Sequence, residues 1–145
     1  MQGIRYADVT MPIYQGVKGS TLVIADWWQV KGVLPDGRKF RIVVRKGFVF
    51  DGASIPRFLW RLCGHPLEAP RIAAALAHDW LYASHACDRE TADAIYLKIC
   101  RMVGISWFCR TVEYRALRIF GDVAWRSHGP DDQESANHKG FLDLS

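Results

Sequence analysis

A chain of 145 residues, half of them hydrophobic, is long enough for one domain that buries about two-thirds of its unfolded surface, so no disulfide scaffold is needed to make it fold. The formal net charge of +4 is mild, and Lys and Arg are scattered with a modest concentration from Arg101 to Arg126, which reads as a solvated helix face and argues against nucleic acid as a partner. No window approaches the roughly 18 consecutive apolar residues of a membrane span, and MQGIRYADVT has no apolar core of signal-peptide length, so a protein made in the cytoplasm is expected.

In chain order, Ile4, Tyr6, Val9, Met11 and Ile13 nearly alternate before Gly16, which predicts a short strand or extended arm, broken by Gly19 and Ser20. Thr21 to Val33 is β-branched and aromatic, Leu34-Pro35-Asp36-Gly37 is a turn signal, and Lys39 to Val49 alternates, so a β-hairpin is expected. Phe40, Ile42 and Val44 should face one way and Arg41, Val43 and Arg45 the other. Gly47 interrupts that alternation, as a bulge would.

Asp51-Gly52 closes the strand, and Ser54 before Ile55-Pro56 is a helix-opening arrangement in which Ser54 would cap a short helix from Pro56 to Cys63. A second helix runs from Pro70 to about Ser84, rich in alanine. Asp88 caps a third, to Met102, with Glu90 near its positive end and Gly104 as its stop. Ser106 caps a fourth, to Val123 or Ser127, with Arg110, Arg115 and Arg118 expected to be wet. Residues 128–145 are polar and turn-rich and read as a mobile tail, in which Phe141 and Leu142 are the docking candidates.

Strands before helices predict an α+β fold for residues 1–127, an N-terminal antiparallel hairpin or meander packed against three to four C-terminal helices. The four cysteines, Cys63, Cys87, Cys100 and Cys109, show no CxxC spacing and are expected as buried free thiols in a reducing cytosol or a virion assembled there.

Three polar clusters lie between Phe48 and Asp93. On a helix, His78 and Tyr82 stack on one face while Asp79 sits about 100° round. The short link between the second and third helices makes them antiparallel neighbours and brings Asp93 to the height of His78. Asp93 could then hold the His78 imidazole in one tautomer, with the other nitrogen free to take a proton from water. Asp79, with Asp51, could hold a hard divalent cation through oxygen. The other reading is a buried network in which His78 and Tyr82 bond to Asp93, Ser54 or backbone and brace the core without chemistry. Chemistry requires His78 to reach an open pocket with one nitrogen free.

The succession GFVFDGASIPRFLW, LAHDWLY and DRETAD resembles a family of uncharacterised domains encoded mainly by tailed bacteriophages and prophages. The resemblance implies a phage or prophage origin and a compact domain, and carries no activity. Separately, His78, Asp79 and Tyr82 resemble the HD-x-x-Y helix of secreted phospholipases, with Asp93 as a plausible counterpart of their second Asp. The calcium loop and the disulfide cage of those enzymes are missing. Ser54 in GASIP is not a GxSxG elbow, Cys87 near His85 is poorly placed for a thiol pair, and His65, His85, His128 and His138 lack ligand spacing. Two functions stay open: a tail-associated structural or assembly accessory that meets a protein partner, and a small metal-assisted hydrolase with His78 as base, Asp93 as its orienter, Ser54 and Tyr82 beside them, and Asp79 with Asp51 on the cation.

Overall fold

A computed structural model describes residues 5–6, 9–17 and 21–145, and these form an α+β protein. The expectations placed on Ile4, Gly19 and Ser20 lie outside the described residues.

Strands β5 (Trp28–Val33) and β6 (Lys39–Val44) make the expected hairpin, with Trp28 opposite Val44 and Val33 opposite Lys39. Its turn is closed by Gly37 N donating to Leu34 O at 2.9 Å, and Gly37 sits at φ 92°, a region that side chains disfavour. Phe40, Ile42 and Val44 enter the core, whereas the Arg41 and Arg45 guanidiniums lie over the Phe141 ring.

The run that begins at Thr21 is split between two sheets. β4 (Leu22–Ile24) lies between β3 (Tyr14–Gly16) and β7 (Val49–Phe50), while β5 and β6 belong to a five-stranded sheet in the order β1 (Arg5–Tyr6), β2 (Val9–Thr10), β5, β6, β8 (Gly140–Leu144). Every strand pairing among the described residues is antiparallel. Gly47 is a turn at φ 99° rather than a bulge, and there the chain crosses from one sheet to the other.

The described helices number six instead of three to four: α1 (Phe58–Cys63), α2 (Arg71–Ser84), α3 (Arg89–Met102), α4 (Trp107–Phe120), α5 (Asp122–Arg126) and α6 (Pro130–His138). All of α2 is buried, because Ala73, Ala74, Ala75 and Ala77 let neighbouring elements close around its backbone. α3 and α4 start at the expected caps, Asp88 accepting from Thr91 N and Ser106 from Cys109 N. What reads as one fourth helix breaks at Gly121, where a Cβ would stand 2.5 Å from Tyr82 Oη.

Two expectations are corrected. Residues 128–145 are not a loose tail: Pro130 opens α6 with Asp131 and Asp132 at its positive end, and β8 pairs along β6 with Phe141 opposite Val43. Trp80 Nε1 fastens α6 to α2 by donating to Ala136 O at 2.9 Å. The thiol reading fails for one pair. Cys63 and Cys109 form a disulfide with Cα atoms 5.6 Å apart, since α1 runs antiparallel to α4 and its last residue meets the first turn of its neighbour. Cys87 and Cys100 are free, and burial pushes both thiols up to about 12. Among the described residues, no helix is long and apolar enough to cross a membrane.

Candidate functional site

The corner where β7 gives way to helices holds four polar side chains in a line. The 51–54 turn supplies Ser54, α2 supplies His78 and Asp79, and α3 supplies Asp93. Ser54 Oγ lies against Asp79 Oδ1 on one side and 2.9 Å from His78 Nδ1 on the other. His78 Nε2 is 2.8 Å from Asp93 Oδ1, which also accepts from Tyr82 Oη at 2.7 Å. The imidazole is 0 % exposed and packs between the Tyr82 and Tyr96 rings. Both its nitrogens are engaged, so the requirement for a free nitrogen facing an open pocket is not met.

The two carboxylates behave oppositely. Burial alone would raise Asp93, but hydrogen bonding and charge from His78, with the Tyr82 and Arg118 donors, outweigh it and hold the carboxyl below its ordinary range. Burial of Asp79 does win, and its carboxyl is raised despite the Ser54 hydroxyl and the Gly52 N–H. With Asp93 ionised, His78 Nε2 must carry a proton to bond it. Ser54 Oγ donates to an ionised Asp79, whereas if Asp79 is an acid it donates to Ser54 Oγ and Ser54 donates to His78 Nδ1. Shifting one proton along this line gives an ionised Asp79 and an imidazolium, with no change in total charge.

Asp79 and Asp51 are adjacent but do not form a cation pair. Asp79 Oδ2 accepts from Gly52 N at 2.7 Å and Asp51 N at 3.2 Å, and the Asp51 carboxylate turns back onto Ala53 N at 2.8 Å. No cluster of three or more His, Cys, Asp or Glu suited to a metal occurs among the described residues. Ser54, expected as a helix cap, does not cap α1, whose first N–H groups receive no side chain.

Arg118 and Gly121 enter the site with no local signal, whereas Arg89 lies one helical turn before Asp93 on α3. Arg118, expected wet, reaches back from α4 to Asp93 Oδ2 at 2.8 Å. Arg89 stands 3.5 Å from the same oxygen and ties it to α4 by donating to Leu117 O at 2.8 Å. Gly121 makes room for Tyr82 Oη and Arg89. Arg57 lies over the Trp60 ring, away from these carboxylates. A second buried cluster, Arg71 with Glu113, Tyr96 and the Cys63 carbonyl, also escapes sequence reasoning, because its parts come from α1, α2, α3 and α4.

A cavity of about 780 Å³ opens on this corner. Ser54 and Asp79 form part of its wall, Phe48, Phe50 and Ala83 add apolar surface, and Val49, Phe120 and Val123 stand exposed at its edge. The His78 and Asp93 side chains lie behind that wall.

Fold and site together define an α+β domain built around a closed polar line at a sheet-to-helix corner. The family model described as a protein of unknown function, DUF1353, matches residues 23–117, and the chain belongs to that family. No curated protein and no solved structure matches the chain.

Proposed function

We propose that the protein is a phage- or prophage-encoded accessory, a structural or assembly factor associated with the tail, in which the polar line fixes the corner and the adjoining cavity receives a segment of a partner protein. The observation that carries this reading is closure: each polar side-chain atom of Ser54, His78, Asp79 and Asp93 has a partner inside the protein. A fully satisfied buried network holds a unique geometry. The phage origin rests on the DGASIPR and HDWLY motifs. A virion also suits the disulfide better than a reducing cytosol does. Mass spectrometry of purified particles, with tails separated from heads, tests the reading: the chain should travel with tails at fixed stoichiometry. Its absence from particles and from assembly intermediates would overturn it.

A second reading, a small hydrolase in which Ser54 and not the enclosed His78 meets the cavity, departs from the expected free-nitrogen base and is favoured by the order Asp93–His78–Ser54, which has the connectivity of an acyl-transfer triad and ends on a cavity wall. In it Ser54 Oγ attacks an acyl carbon as His78 Nδ1 takes its proton, the carbonyl π electrons move onto the oxygen, and Asp93 orients the ring with Tyr82. A divalent cation on Asp79 and Asp51 would first have to displace their backbone donors. Labelling with a fluorophosphonate decides the matter. An adduct on Ser54, lost in Ser54→Ala, supports hydrolysis, and an unlabelled protein rules this version out.

A further inference from the structure

Helices α1 and α4 carry an outward face that the polar line does not use and that meets the cavity only at its edge, at Phe120 and Val123. They run antiparallel, pinned at one end by the Cys63–Cys109 disulfide and at the other by the Phe58 ring packing edge-on against Phe120 at 5.8 Å. Large apolar side chains stand out from this pair: Phe58 is 60 % exposed, Ile119 69 %, and Leu62, Phe108 and Phe120 more than half. Val123, at the start of α5, continues the face at 73 % exposed. Phe108, Arg115 and Ile119 share one stripe of α4 by helical spacing, and Arg57 and Arg61 flank Phe58 and Leu62 on α1. These three arginines are exposed. The one acidic residue of the two helices, Glu113, is buried against Arg71. Asp122 beyond them is paired with Arg126.

We propose that this face is an interfacial surface that docks on an anionic phospholipid bilayer, with the apolar side chains at the acyl boundary and Arg57, Arg61 and Arg115 on lipid phosphates. Such binding rests on buried apolar area together with electrostatic attraction. A face with outward arginines and no outward carboxylate on α1 or α4 complements an anionic layer. It also disfavours a second copy, because the same arginines would meet across the twofold. Apolar side chains that protrude suit a fluid acyl boundary, and a nucleic-acid backbone would leave them in water.

Co-sedimentation of the full chain with vesicles tests this. Binding to vesicles of one-third phosphatidylglycerol should be at least tenfold tighter than to pure phosphatidylcholine and should weaken as salt rises. It should drop at least tenfold in Ile119→Ser/Val123→Ser and, separately, in Arg57→Glu/Arg61→Glu. Both variants change exposed positions, and unchanged circular dichroism and Tm confirm that they fold. No vesicle binding, equal binding to neutral vesicles, or binding that Ile119→Ser/Val123→Ser leaves intact overturns the proposal. So does sedimentation equilibrium that shows a dimer abolished by those serines, which would assign the face to self-association.

Discussion

His78 Nε2 and Asp93 Oδ1 meet at 2.8 Å between two neighbouring helices, both side chains wholly enclosed. The contact joins α2 to α3, and through Arg118 to α4, so removing either end leaves buried polar atoms without partners.

His78→Ala should therefore lower stability by about 3 kcal/mol, or roughly 10 °C in Tm, since it strands Asp93 and Ser54 as well as opening a hole. Scanning calorimetry reads this. A Tm within a degree or two of the parent would show that the imidazole does not brace the core.

Asp79 and Asp93 should pull the pH dependence of stability in opposite directions. Asp93, lowered from its ordinary 3.8, adds stability that is present above that value and lost as pH falls through its folded pKa. Asp79, raised from the same 3.8, stabilises at low pH, and that contribution is lost as pH rises through its folded pKa. Asp79→Asn keeps a carbonyl for the Gly52 N–H and an N–H for Ser54, the pattern of the protonated acid. It should flatten the decline above about pH 4 and cost little at pH 7, whereas Asp93→Asn should be strongly destabilising at pH 7. Urea midpoints from pH 3 to 8 check both.

Reduction should open the Cys63–Cys109 bond and lower stability. Closing a loop of sequence separation 46 contributes about 4 kcal/mol by loop-entropy reasoning. Thiol counting in denaturant should find two free thiols before reductant and four after it. Four at the outset would mean that the bond is absent.

Deleting residues 129–145 should expose the β6 edge and leave the Trp80 indole N–H without its acceptor, Ala136 O. The product should aggregate or lose cooperative unfolding in urea, not merely shed a flexible end. An unchanged midpoint would contradict the pairing.

Much of this was legible in local pattern. The Pro-Asp-Gly turn located the β5–β6 hairpin, Asp88 and Ser106 marked two helix starts, and the i, i+4 spacing of His78 and Tyr82, with the short α2–α3 link, brought Asp93 to the imidazole. Features made by distant segments were not legible. Arg118 resembles any outward arginine until α4 is placed beside α3, and Cys63 has no sequence relation to Cys109 that spacing reveals. The polar segment after His128 misled for a different reason: its strand uses only Phe141 and Leu142 as large apolar residues before Leu144, because β8 is a sheet edge whose affinity for β6 comes from backbone hydrogen bonds.

The place of β8 has a consequence for biosynthesis. Its neighbour β6 leaves the ribosome about a hundred residues earlier and waits with one row of amides and carbonyls unsatisfied until residues 140–144 emerge. The five-stranded sheet thus closes only once β8 has been made, and a nascent chain stalled before that point presents a sticky ribbon that a chaperone, or another unfinished copy, can occupy.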